Sequence, residues 1–163
     1  MAAHTVAESL DFLGKKRRQR KLRLITIDKG REDKDGITGL LLSGMGYTIE
    51  YRQLPLGDYT WDSKLGPVIL ERKTPSDIRD IPRLSSQLRR LREGAKGGAC
   101  FPILLVDWRQ AQDPWEEMIL DNIEMACQGS VHVAHCLQGQ LAHRLDNLYV
   151  WSNKSSHELL EVK

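Results

Sequence analysis

Apolar and polar positions along the chain fall into short blocks with two different periods. Residues 22–28 (LRLITID), 68–72 (VILER) and 101–107 (FPILLVD) are apolar, β-branched runs ending in charge, the pattern of buried strands. Residues 47–54 alternate as a strand does, 55–59 turn, and 131–134 and 148–151 (LYVW) read as further short strands. Between them lies helical spacing. Ile37, Leu40, Leu41 and Met45 follow a candidate cap at Asp35 and stop at Gly44 and Gly46. Ile78, Ile81, Leu84, Leu88 and Leu91 keep one apolar face at steps of three and four.

Thr74-Pro75-Ser76-Asp77 opens that second helix: threonine accepts from the N3 amide, proline suits N1 and an acid at N3 completes a capping box. Pro82 is expected to break or kink it. On its other face Arg79, Arg83, Gln87 and Arg90 are spaced to line up toward a ligand. Asp113-Pro114-Trp115-Glu116 is a second such start, for a helix to about Cys127, and a final helix is expected from Ser155. Strands alternating with helices predict an α/β architecture. Pairing of 47–54 with 68–72, joined without a helix, predicts an antiparallel start and a mixed sheet.

Composition narrows the class. At 163 residues, 40% apolar and 28% charged, the chain has room for one globular core. Its longest apolar stretches, such as Leu40-Leu41-Leu42 and 103–106, fall far short of the roughly 20 residues of a membrane span. Three cysteines (Cys100, Cys127, Cys136) without paired spacing and no apolar leader block predict a reducing, intracellular setting, cytoplasmic in a prokaryote or virus and nuclear in a eukaryote.

The net charge of +2 conceals an uneven distribution. Lys15, Lys16, Arg17, Arg18, Arg20, Lys21 and Arg23 fill seven of nine positions, and without them 17 Lys and Arg face 22 Asp and Glu. A second basic block spans 72–96. Such runs are the footprint of a polyanion partner, or else a solvated tail. Residues 1–21 read as a flexible basic arm and 22–163 as the folded domain.

Candidate chemistry concentrates in Gly57-Asp58-Tyr59 and Glu71-Arg72-Lys73. On a strand Glu71 and Lys73 share a face and Arg72 takes the other. Two carboxylates, Asp58 and Glu71, form the partial oxygen shell that Mg²⁺ completes with water and phosphate oxygens, and a neighbouring lysine balances charge developing on a phosphoryl group. Taken alone, Glu-x-Lys is more often a surface pair worth under about 1 kcal/mol. The apolar strand before it and the capped helix after it shift the weighing toward a site.

Gly-Asp-Tyr, then Glu-Arg-Lys-x-x-x-Asp, then Arg-Leu-x-x-Gln resembles the nuclease domain of the XPF family of structure-specific endonucleases, within the PD-(D/E)xK, restriction-endonuclease-like fold. The resemblance covers about 22–108. It implies a restriction-endonuclease-like core and metal-dependent cleavage of branched or flapped DNA in repair, recombination or replication. By the same resemblance Asp58, Glu71 and Asp28 bind Mg²⁺ or Mn²⁺, Lys73 and Arg72 join them in catalysis, and Asp77, Arg83 and Gln87 support the site. Arg79, Arg83, Arg90 and the Lys15–Lys21 run would contact DNA. A homodimer or related subunit is the implied assembly, and no nucleotide cofactor is expected. The first element reads Asp28-Lys29-Gly30-Arg31-Glu32, one residue longer than the family pattern, and Pro82 stands where that pattern has glycine. No tandem helix-hairpin-helix domain is recognisable, so a stand-alone nuclease core or a fragment is expected. The alternative is a nuclease-like module that binds DNA or a partner without cutting. A zinc site from His132, His135, Cys127 and Cys136 is disfavoured, because strand positions three apart face opposite sides. Trp61, Trp108, Trp115 and Trp151 fit core or cover better than base stacking.

Overall fold

The computed structural model describes residues 22–30, 36–108 and 114–155. The first apolar run becomes β1 (Leu24–Asp28), followed by α1 (Ile37–Gly44), β2 (Thr48–Arg52), β3 (Tyr59–Ser63) and β4 (Gly66–Lys73). Next come α2 (Pro75–Arg79), α3 (Ile81–Ala95), β5 (Phe101–Trp108), α4 (Pro114–Cys127), β6 (His132–Leu137) and α5 (Leu141–Ser152). One six-stranded sheet runs β2-β1-β3-β4-β5-β6. Among the described strands only β3 is antiparallel to its neighbours, β1 and β4; the other pairings are parallel.

The sheet is mixed and flanked by helices as expected, but its pairing differs from the sequence reading. The 47–54 segment pairs in parallel with β1 and not with 68–72. The antiparallel partner of β4 is β3, whose first residue, Tyr59, the sequence pattern assigns to a turn. Residues 148–151 are not a strand but the last turns of α5, where Leu141, Leu145, Leu148, Tyr149 and Ser152 are buried at helical spacing. The strand begun near 131 extends to Leu137. α1 starts after Gly36 in a left-handed conformation, and it buries Gly39 and Leu42 while Ile37, Leu40 and Leu41 remain exposed. Asp35, Asp113, Arg31, Glu32, the 1–21 arm and the helix expected beyond Ser155 lie outside the described residues. No described helix is long and apolar enough to cross a membrane.

Strand alternation splits the core into two layers. Ile25, Ile27, Tyr59, Trp61, Leu70, Ile103 and Leu105 pack against α1 and α5 on one face. Leu104 and Val106 pack on the other against Ile78 of α2, Leu84, Leu88 and Leu91 of α3, and Ile119 and Ile123 of α4. Each of these fully buried aliphatic side chains contributes about 1.5–3 kcal/mol. That fixes α3 against β4 and β5 through its apolar stripe.

Between α2 and α3 the chain turns at Asp80 (φ −86°, ψ 76°), whose carboxylate accepts from the Arg83 amide. Pro82 sits in the first turn of α3, where its missing N–H costs no hydrogen bond, so the proline starts a new helix instead of bending an old one. Ahead of it the capping box forms as expected: the Asp77 carboxylate accepts from the Thr74 amide at 3.0 Å and from its hydroxyl at 2.7 Å. Burial pushes the Asp77 carboxyl up, but the Thr74 hydrogen bonds and the charges of Lys73 and Arg83 outweigh it and hold the group below its ordinary value. A depressed folded-state pKa stabilises above the unfolded value of about 3.9 and is lost as pH falls through the folded one. Asp77→Asn is therefore expected to cost about 1 kcal/mol at neutral pH and to flatten the loss of stability below about pH 4. Urea midpoints of both proteins between pH 2.5 and 7 check this; parallel curves would refute it.

Candidate active site

Asp58, Glu71 and Lys73 meet at the carboxyl-terminal rim of the parallel strands, where open α/β sheets place their ligand sites. β3 enters the sheet there because it runs antiparallel, so the residue preceding it, Asp58, lies beside the ends of β1 and β4. The Asp58 backbone is held on both sides: its N–H donates to Leu70 O at 2.7 Å and its carbonyl accepts from the Asp28 amide at 2.8 Å. Its carboxylate accepts from the Arg72 amide at 2.7 Å, which ties it to the residue after Glu71. Gly57 makes this approach possible. Its φ is +77°, and a Cβ there would lie 2.6 Å from Ile69 Cγ2 and 3.0 Å from Leu70 O.

Glu71 and Lys73 are 3% and 4% exposed, which rules out the surface-pair reading. Lys73 Nζ donates to Glu71 Oε1 at 2.7 Å and to the Arg72 carbonyl at 3.1 Å. Gln87, buried on α3, donates to the same Oε1 at 2.7 Å. Both donors thus converge on one carboxylate oxygen, and Glu71 Oε2 accepts no hydrogen bond among the described residues. Nor is Oε2 sealed from solvent, since among the described residues the one buried side-chain N or O without a partner is Arg144 Nε. An ammonium has three N–H groups; two of Lys73's are used, leaving one for a ligand.

The remaining predicted residues divide. Asp28 is buried at the end of β1, but its Oδ1 accepts from the Leu54 amide at 2.8 Å. No group of three His, Cys, Asp or Glu among the described residues is placed to hold a metal, so Asp28, Asp58 and Glu71 do not form a three-carboxylate cluster. The Arg72 amide links the Asp58 carboxylate to the residue after Glu71, which makes Asp58 and Glu71 the candidate ligands. They suit Mg²⁺, which takes one or two and fills its shell with water and phosphate oxygens. Asp77 caps α2 and points to backbone, not into the site.

The predicted row of Arg79, Arg83, Gln87 and Arg90 does not form, because the helix is interrupted at Asp80. Arg79 reaches Glu116 on α4 at 2.7 Å, Gln87 turns inward, and Arg83 and Arg90 are left exposed. Arg72 leaves on the opposite face of β4, where its Nε and Nη2 both donate to Asp107 Oδ2, at 3.0 and 2.5 Å. Of the basic run only Arg23 carries a described side chain; it lies over the Tyr47 ring, 5.5 Å from its centroid. Lys15, Lys16, Arg17, Arg18, Arg20 and Lys21 lie outside the described residues.

Sequence reading missed Asp107 and Glu116, the partners of Arg72 and Arg79. Asp107 carries the same signal as Asp28, an acid closing an apolar strand. Cys136, whose thiol donates to Asp107 Oδ1 at 3.7 Å, is pushed up to about 12 by burial and by that carboxylate. Zinc has no basis among the described residues. Cys127 and Cys136 belong to cores on opposite faces of the sheet, His132 stacks on Trp151, and His135 pairs with Glu124. Trp61 is core and donates to Ser152 Oγ, as expected, whereas Trp115 is 46% exposed.

Two solved structures of XPF from Aeropyrum pernix share this fold. One, in complex with DNA, is 22% identical, with 85% of this chain and 68% of that chain covered and a TM-score of 0.64. The other is 23% identical, with 78% and 66% covered and a TM-score of 0.62. The chain thus spans about two thirds of the length of these structures, and at such identities the likeness speaks for the fold. No curated protein matches the chain. The ERCC4 domain matches residues 27–128, more than half of the chain, and the matched stretch holds Asp58, Glu71, Lys73 and Gln87. On that match the chain belongs to the ERCC4 domain family, the family of XPF-type nuclease domains.

Proposed function

We propose that this chain hydrolyses phosphodiester bonds in branched or flapped DNA, with Mg²⁺ or Mn²⁺ held by Asp58 and Glu71. The observation that carries the reading is the buried Glu71–Lys73–Gln87 group beside the anchored Asp58 carboxylate. A lysine and a carboxylate are costly to bury, and a surface pair would have served folding as well. When bound, the cation neutralises charge on the phosphoryl group and lowers the pKa of a water. Lys73 and Gln87 fix Glu71 by one oxygen, which leaves the other for the cation. The unused N–H of Lys73 donates to the attacking water or a phosphoryl oxygen. Arg83 and Arg90, exposed on α3, contact the DNA backbone with little base preference. The DNA in one structural relative supports DNA as the partner.

The test is cleavage of duplex, single strand, flap, fork and four-way junction in Mg²⁺, Mn²⁺, Ca²⁺ or EDTA, by wild type and Asp58→Asn. The asparagine keeps an acceptor for the Arg72 amide and separates chemistry from folding. Metal-dependent nicking of the branched substrates is expected, at least about 100-fold slower in the variant, with DNA binding retained. Undiminished cutting by Asp58→Asn would refute the site. Binding without cutting under every condition would favour the non-catalytic module.

A further inference from the structure

The pleat of β4 sends its charged end in two directions. Glu71 and Lys73 face α3, while Arg72 emerges on the face of α1 and α5, beside a cavity of about 540 Å³ at the same strand ends. That volume lies within the range of small-molecule sites, roughly 300–1,000 Å³. Nothing in the chemistry proposed for Asp58, Glu71 and Lys73 uses it.

The lining narrows what fits. Its two guanidiniums, Arg72 and Arg79, are each matched by a carboxylate, Asp107 and Glu116, which are 8% and 5% exposed. Phosphate would have to compete with two buried carboxylates for those cations, so the charge balance disfavours an anion. The lining also holds the apolar side chains Ile37 and Leu41 of α1 and Leu141 and Ala142 of α5, with Thr38 and Gln138 beside them. The hydroxyls of Thr74 and Ser76 border it. A lining that combines apolar side chains with paired donors and acceptors suits a flat, uncharged heterocycle with both kinds of group on its edge. Arginine and carboxylate are also the side chains that read such edges in bases.

We propose that this cavity receives an unpaired nucleobase of the strand whose backbone passes Glu71 and Lys73. The source of the base rests on the DNA reading above; the affinity of the cavity for a base does not depend on cleavage. Extracting a base from intact duplex breaks its stacking and pairing, whereas a flap or fork presents one already unstacked. A pocket back to back with the cutting site would therefore favour branched DNA without reading its sequence.

Saturation-transfer NMR on the full chain tests this, with the four deoxynucleosides and 2-deoxyribose 5-phosphate as probes. Transfer to base protons is expected for at least one nucleoside, with shifts in the methyl signals of Ile37, Leu41 and Leu141, and none for the sugar phosphate. Leu41→Trp, at an exposed position that tolerates bulk, is expected to abolish the response by filling the mouth, as is Ala142→Phe from inside. Asp58→Asn is expected to keep it, since its side chain serves the other face. A response unchanged by Leu41→Trp, absent for all nucleosides, or matched by the sugar phosphate would overturn the proposal. Nucleoside binding in a protein that cuts nothing would leave the cavity assigned and refute only the nuclease reading.

Discussion

Lys73→Met is expected to lower cleavage by at least about 100-fold and to destabilise the fold by about 3–5 kcal/mol. The second effect follows from burial. Glu71 is 3% exposed and keeps only the Gln87 amide when the ammonium is gone, so its charge is left almost uncompensated. The two effects separate in a double-mutant cycle. Glu71→Gln in the Lys73→Met background removes the stranded charge and is expected to recover most of the stability while restoring no activity. Denaturant midpoints and single-turnover cleavage of a flap, measured on all four proteins, check this. Recovery of activity in the double variant would mean that the pair is a structural strut. Equal activity in Lys73→Met and wild type would remove the lysine from the chemistry.

That a lysine should be so placed was legible from sequence in part. The carboxyl ends of β1, β4 and β5 to within one residue, the capping box at Thr74 and the order of Asp58, Glu71 and Lys73 all rest on short-range rules: β-branched runs, strand alternation and N-terminal capping. What escaped depends on tertiary register. The segment 148–151 has strand-forming side chains, and its four residues are too few to distinguish a strand from the buried face of α5, which needs Leu141 and Leu145 in view. β3 was hidden because Asp62 and Ser63 interrupt the apolar pattern at an end paired to β4. The arginine row failed because a proline that reads locally as a kink has room, once Asp80 caps it, to begin a separate helix. Asp107 and Glu116 were illegible as partners, since nothing local says that β5 aligns Leu105 with Arg72.

The glycine before Asp58 shows how far that register reaches into the chemistry. Gly57→Ala is expected to cost about 3 kcal/mol or more and to abolish cleavage, though position 57 bears no functional group. Two penalties add there: a left-handed φ, about 1–2 kcal/mol for a residue with a Cβ, and overpacking against Ile69 and Leu70, about 1–3 kcal/mol. Gly129 isolates the first, for it has a φ of +73° with nothing within 4 Å of its Cβ position. Gly129→Ala should therefore lose only about 1 kcal/mol and cut normally. At Gly57 relief requires the turn to move away from β4. Such a shift stretches the 2.7 Å bonds from the Asp58 amide to Leu70 O and from the Arg72 amide to the Asp58 carboxylate, which set that carboxylate beside Glu71. Ile69→Ala in the Gly57→Ala background removes the side-chain clash but leaves the Leu70 carbonyl and the backbone strain. Only partial recovery of stability is expected, and thermal unfolding with flap cleavage on the four proteins measures it. Normal cleavage by Gly57→Ala would show that the Asp58 carboxylate need not be held where β4 holds it.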